Sequence, residues 1–105
     1  MPGDDDLRDI AALDRLIHEP ARLMILALLF PVEGADFLFL LRQSGLTKGN
    51  LSSHLAKLET AGYVEIVKGY NGKIPHTLIR LTDDGRAAYK RYRSQLRRTF
   101  DLLPG

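Results

Sequence analysis

Apolar residues recur at three- and four-residue steps through the start of the chain. Leu7, Ile10, Ala11, Leu13 and Ile17 set that period, which predicts a first helix over residues 4–19. Acids crowd its beginning, where the helix dipole favours them. Pro20 suits the first turn of a second helix, because no intrahelical partner awaits an N–H there. That helix, residues 21–30, is apolar nearly all round (Leu23, Met24, Ile25, Leu26, Ala27, Leu28, Leu29), the pattern of a buried central helix, and Pro31 ends it. Asp36 is placed to cap a third helix over residues 37–43. Ser44-Gly45-Leu46 interrupts the pattern, with Gly45 supplying the backbone freedom of a tight turn. Thr47 then caps a fourth helix reaching about residue 61, whose inward stripe is Leu51, Leu55 and Leu58.

Beyond Gly62 the period drops to two. Residues 63–68 alternate, with Val64 and Ile66 set against Glu65, and predict a strand that ends at Lys68. Residues 69–75 are expected to form a loop around the turn signal Asn71-Gly72. Residues 76–81 form the second strand of the hairpin, with Thr77, Ile79 and Leu81 on one side, and a short piece at 35–37 is a candidate third strand. Thr82 caps a last helix over residues 83–100, with Asp83 and Asp84 in its first turn. The expected class is mainly α with a small β-hairpin, an α+β fold of about five helices and two or three strands. Its 105 residues read as a single domain, 1–105.

Composition narrows the chemistry. There are no cysteines, which excludes a disulfide scaffold, a thiolate zinc site and a cysteine nucleophile. His18, His54 and His76 fall on different elements, so no metal site and no cofactor are expected. No apolar run approaches the ~20 residues of a membrane span, and the acidic N-terminus lacks a signal core; a cytoplasmic protein with no membrane partner is expected. No nucleophile–base pair or phosphate loop points to an enzyme. The net charge of +2 hides an asymmetry: residues 1–36 carry −5 and residues 37–105 carry +7. A basic two-thirds suits a polyanion, although basic residues on the last helix can also pair with the acids of the first.

Helix, Gly-containing turn, helix over residues 37–61 is the helix-turn-helix arrangement, which sets its second helix into a DNA major groove. At 100° per residue from Leu51, the residues Gly49, Asn50, Ser52, Ser53, Ala56, Lys57 and Thr60 fall on the outward side. That face is small and hydrogen-bonding, as close approach to base edges requires. Asn pairs bidentately with adenine, Ser bonds bases or phosphates, and Lys48 and Lys57 suit phosphates.

The segment Leu46-Thr47-Lys48-Gly49-Asn50-Leu51-Ser52-Ser53-His54-Leu55-Ala56-Lys57-Leu58-Glu59-Thr60-Ala61-Gly62-Tyr63-Val64 resembles the recognition helix and following strand of MarR/ArsR-like winged helix-turn-helix transcriptional regulators. Leu81-Thr82-Asp83-Asp84-Gly85-Arg86 resembles the junction after that family's wing. The resemblance covers roughly residues 20–90. It implies a winged helix-turn-helix fold and a homodimer that binds a pseudo-palindromic double-stranded operator to regulate transcription. Carried across by position, Thr47, Lys48, Gly49, Asn50, Ser52, Ser53, His54 and Lys57 form the DNA-reading set. His54 flanks the outward face and reads either as a phosphate contact or as a packed edge residue. The wing, residues 68–76, would set Lys68, Lys73, Arg80 and His76 near the backbone or minor groove. Tyr70 reads as a contact or as hairpin support. The family's thiolate metal sites do not carry over.

Tyr89, Tyr92, Leu96, Phe100 and Leu103 make an apolar stripe along the last helix. With Leu7 and Ile10 of the first helix, Tyr89, Tyr92, Leu96 and Phe100 are the expected dimer seam; the other reading is a cover for the chain's own core. No residue set picks out a small-molecule effector. The competing functional reading is a winged-helix module that docks on another protein without touching DNA.

Overall fold

The structure is a computed structural model and describes residues 7–105. A 3-10 helix, Leu7–Ala12, leads into four α-helices: α1 (Pro20–Leu29), α2 (Phe37–Ser44), α3 (Lys48–Thr60) and α4 (Asp83–Leu102). Three strands, β1 (Ala35–Asp36), β2 (Val64–Asn71) and β3 (Ile74–Leu81), form one antiparallel sheet in the order β1-β3-β2. This is the α+β winged-helix fold expected from the sequence.

The start of the chain differs from its periodicity. The expected helix over residues 4–19 is not one element: residues 4–6 lie outside the described residues, residues 7–12 are 3-10, and a turn follows. The Asp14 carboxylate accepts from the N–H groups of Leu16 and Ile17, offering the backbone an alternative to the helical ladder. Glu19 is extended (φ −152°, ψ 128°), as a residue before proline prefers, and its side chain caps α1 by accepting from Arg22 N–H. That bond holds the Glu19 carboxyl below its ordinary value of 4.5, against the opposing pull of desolvation. Leu13 and Ile17 still reach the core.

The core gathers around α1. Ile17, Ile25, Leu26, Leu29, Leu40, Leu51, Leu58 and Ile79 lose essentially all solvent contact, joined by Leu55, Val64, Ala88 and Tyr92. Asp36 caps α2 through Phe39 N–H, and Gly45 closes that helix in the left-handed region (φ 70°). Thr47 caps α3 through Asn50 N–H.

The hairpin is longer than expected. Residues 69–75 are not a loop: Val64↔Leu81 pairing continues through Tyr70↔Pro75 to Asn71↔Ile74, leaving only Gly72 and Lys73 in the turn. Gly72 adopts φ 68°, the positive value that the first position of a Gly-X two-residue hairpin requires. At about 3.4 Å per residue the wing is about 27 Å long, and the 20 residues of α4 add about 30 Å. β3 runs directly into α4, so together they account for the long axis of 59 Å in a molecule only 25 by 22 Å across. Wing tip and the α4 C-terminus therefore mark opposite ends.

One joint holds hairpin, α3 and α4 together. Thr82 caps α4 through Gly85 N–H while its hydroxyl donates to Gly62 O and its N–H to Tyr63 O. A side-chain carbon on Gly85 would lie 2.0 Å from Tyr63 O, so only glycine fits at this crossing. Arg86 then reaches across to donate to Phe30 O at the end of α1, with its guanidinium 4.7 Å over the Phe30 ring. The Leu-Thr-x-x-Gly-Arg segment is thus an assembly device.

Candidate nucleic-acid interface

α3 turns one face inward and the other outward, as its sequence period requires. Leu51, Leu55 and Leu58 are buried, while Gly49, Asn50, Ser52, Ser53, Ala56, Lys57 and Thr60 are exposed, with Thr47 and Lys48 exposed at the N-terminal end. The first turn of α3 carries no acid. The side chains of Asn50, Ser52 and Ser53 form a hydrogen-bonding surface without bulk, suited to a groove floor or a phosphate.

His54 is half-buried at the edge of this face. Arg22 Nη1 lies 3.2 Å from His54 Nδ1. A guanidinium only donates, so Nδ1 accepts in this contact and the ring's N–H is at Nε2. Arg22 is itself fixed, its Nε donating to Leu16 O at 2.5 Å. His54 therefore packs against α1 through Nδ1, as its edge-residue reading expects. Arg22 is a residue the sequence reading missed, since nothing in the linear pattern relates positions 22 and 54.

The wing stands beside α3. A cleft of about 480 Å³ separates them, with Ser52, Ala56 and Glu59 on the helix side and Ile66, Lys68 and Thr77 on the strands. Glu59 is the one acid among its lining residues. Lys68, Lys73 and His76 are exposed along the wing, and no acid occurs from residue 66 to 82. Arg80 is at the base, ion-paired with Glu65 at 2.6 Å, which raises its already high pKa. It is thus further from a free cation than the sequence alone suggested. His76 Nε2 lies 4.0 Å from the Asp36 carboxylate. Tyr70 is 76% exposed, so it does little to support the hairpin.

The expected dimer seam divides in two. Tyr92 is 2% exposed, its hydroxyl 2.6 Å from His18 Nδ1, and its burial raises its pKa. Tyr89 is half-buried with its ring 5.0 Å from Phe30, and Leu96 packs on the core. These three cover the chain's own interior. Leu7, Ile10 and Phe100, with Leu103, stay exposed. Among the described residues no cluster of His, Asp and Glu is built to hold a metal, and no helix is long and apolar enough to cross a membrane.

A helix-turn-helix with a polar recognition face, flanked by a basic hairpin whose one acid, Glu65, is paired with Arg80, defines a winged-helix DNA-binding protein. Comparison with known proteins agrees: residues 21–100 match the model of the winged helix DNA-binding domain, and the chain belongs to that family. It is 40% identical over 78 residues to an uncharacterized protein of Methanocaldococcus jannaschii, covering 74% of this chain and 85% of that one. The structure of a transcriptional regulator homologue from Pyrococcus horikoshii superimposes with a TM-score of 0.84 at 31% identity, over 90% of this chain and 95% of that one. A MarR-family regulator from Silicibacter pomeroyi superimposes with a TM-score of 0.65 at 25% identity, over 93% and 67%. The chain is thus a DNA-binding regulator of the MarR-like winged-helix type.

Proposed function

We propose that this chain acts as a homodimeric, sequence-specific transcriptional regulator, with α3 in the major groove and the wing on the backbone or minor groove. The observation that carries the reading is the outward face of α3. It is exposed, polar and free of acids from Lys48 to Lys57, and it stands across a cleft from a wing whose charged residues beyond Glu65 are all cations. Asn50, Ser52 and Ser53 read base edges in this arrangement. Lys48, Lys57, Lys68 and Lys73 neutralise phosphates, and His54 adds its Nε2–H.

The dimer rests on the exposed apolar residues at the end remote from the wing tip. Leu7 and Ile10 are 50% and 42% exposed, Phe100 68% and Leu103 48%, too much apolar surface to leave in water at two neighbouring termini. The 3-10 helix that carries Leu7 and Ile10 packs on α4, the helix that carries Phe100. Residues 1–105 accordingly act as one winged-helix unit whose ends make the two-fold contact. A partner copy would set the two recognition helices on half-sites about one helical turn apart. The genome it acts on places it in the cytoplasm.

Selection of bound duplexes from a random pool, at low and at physiological salt, tests this reading. An inverted repeat with one-turn spacing is expected. Binding that shows no enriched motif and a shallow salt dependence would overturn it.

A further inference from the structure

The tip of the wing carries the two most exposed large apolar side chains among the described residues. Tyr70 is 76% exposed and Ile74 70%. They occupy opposite faces of the ribbon. Tyr70 pairs with Pro75 and Asn71 with Ile74, and partners across an antiparallel ladder share a face while successive residues alternate. Lys73 sits between them in the turn. The end of the hairpin therefore shows a large apolar side chain on each side, Asn71 sharing the side of Ile74, with a cation at its apex and no acid between residues 66 and 82.

We propose that this tip is a wedge that enters the minor groove of duplex DNA and kinks it, with Tyr70 and Ile74 as the wedging residues. The inference rests on the DNA-binding mode proposed above. The minor groove has strongly negative potential between two sugar walls whose surfaces are largely C–H. A tip with apolar flanks and an ammonium at its end complements both features. Size supplies the second half of the argument. The groove is about 6 Å wide, whereas a two-stranded ribbon carrying side chains on both faces is about 10 Å thick. Entry therefore forces the walls apart, and apolar side chains driven between base steps unstack them and bend the duplex. The wing is long enough to do this: its ladder is unbroken from Val64 to Asn71, and although Ile74 shares an open cleft with Phe37, Leu38 and Lys48, both tip side chains keep most of their surface in solvent.

The chain has no tryptophan, so Tyr70→Trp places a single reporter at the tip. The full-length protein is mixed at low salt with an end-labelled, mixed-sequence duplex several helical turns long. Anisotropy reports binding, acrylamide quenching reports the indole, and energy transfer between the duplex ends reports bending. Binding is expected to protect the indole severalfold and to bring the ends together by a kink in the range of about 20–90°. The unsubstituted protein is expected to prefer a duplex with a one-nucleotide gap by about tenfold, because the stacking is already broken there. Tyr70→Ser/Ile74→Ser, which changes only exposed side chains, should still bind but leave the duplex straight and lose that preference. An anisotropy rise with an indole as accessible as in the free protein overturns the wedge alone. So does bending by the double variant equal to that of the unsubstituted protein. A double variant that alters only the protein's own association assigns the tip to contact between copies and also overturns the wedge. No anisotropy rise at all overturns the DNA-binding mode together with the wedge.

Discussion

Replacing Gly85 by alanine tests the joint on which the wing and α4 depend. Gly85 has ordinary helical geometry, so its requirement is spatial. An added Cβ would meet Tyr63 O at 2.0 Å, Tyr63 C at 2.8 Å and Tyr63 Cα at 2.9 Å. All three are backbone atoms, and no side chain can swing away to relieve the contact. Reaching the 3.0 Å that real Cβ contacts respect requires α4 and the start of β2 to part by about 1 Å. That movement strains the bond from Thr82 N–H to Tyr63 O, 3.1 Å long, worth about 1 kcal/mol. Overpacking of this kind costs about 1–3 kcal/mol. The helix propensity of alanine returns at most about 1 kcal/mol. The net expectation is a loss of about 2 kcal/mol, or a melting temperature lower by about 8–16 °C for a domain of this size. Far-UV circular dichroism at one protein concentration measures it. Gly49→Ala is the control: nothing lies within 4 Å of its added Cβ, and a gain of up to about 1 kcal/mol is expected. If Gly85→Ala melted at or above the unsubstituted protein, the packing argument would fail.

Other consequences are open to simple measurement. Glu19→Ala should cost about 1 kcal/mol as a lost N-cap. Because the folded-state carboxyl is held below its ordinary value of 4.5, that contribution is present above the unfolded pKa and disappears as pH falls through the folded one. Denaturant titrations of both proteins should therefore converge in acid, and a constant gap across the pH range would contradict the assignment. Asn50→Ala should relax base preference at one position with little change in salt slope. Lys73→Ala should weaken every duplex alike and lower the slope by about 1; competition binding over a salt series distinguishes them. Phe100→Glu should shift the protein toward monomer in sedimentation while its melting curve changes little, since Phe100 is 68% exposed. Tyr92→Ala, by contrast, should cost about 3–5 kcal/mol as a cavity in the chain's own core.

The sequence by itself determined the local elements from Pro20 onward. Caps at Asp36, Thr47 and Thr82, the left-handed Gly45 and the switch from helical to alternating period depend on a few adjacent residues, and the structure builds each of them. The two faces of α3 were legible for the same reason: a fixed 100° step converts spacing into direction. Where competing local interactions shared one segment, periodicity misled. Leu7, Ile10, Leu13 and Ile17 keep helical spacing, but the Asp14 turn and the extended Glu19 before Pro20 break the helix. The hairpin was similarly under-read, because the ladder that carries residues 69–75 depends on a partner strand and not on their own propensity.

Tertiary structure alone decided what meets across the chain. Arg22 with His54, Tyr63 with Asp14, Arg86 with Phe30 O and Gly85 with the Tyr63 carbonyl join residues 22 to 56 positions apart. It also divided the stripe of α4, burying Tyr92 and leaving Phe100 in solvent. Period states that residues share a face, whereas only the packed fold fixes how far along that face the core extends. The wing tip follows the same rule. The letters of Tyr70 and Ile74 do not give their exposure; the ladder carries both to the end of the hairpin, where they keep most of their surface in solvent.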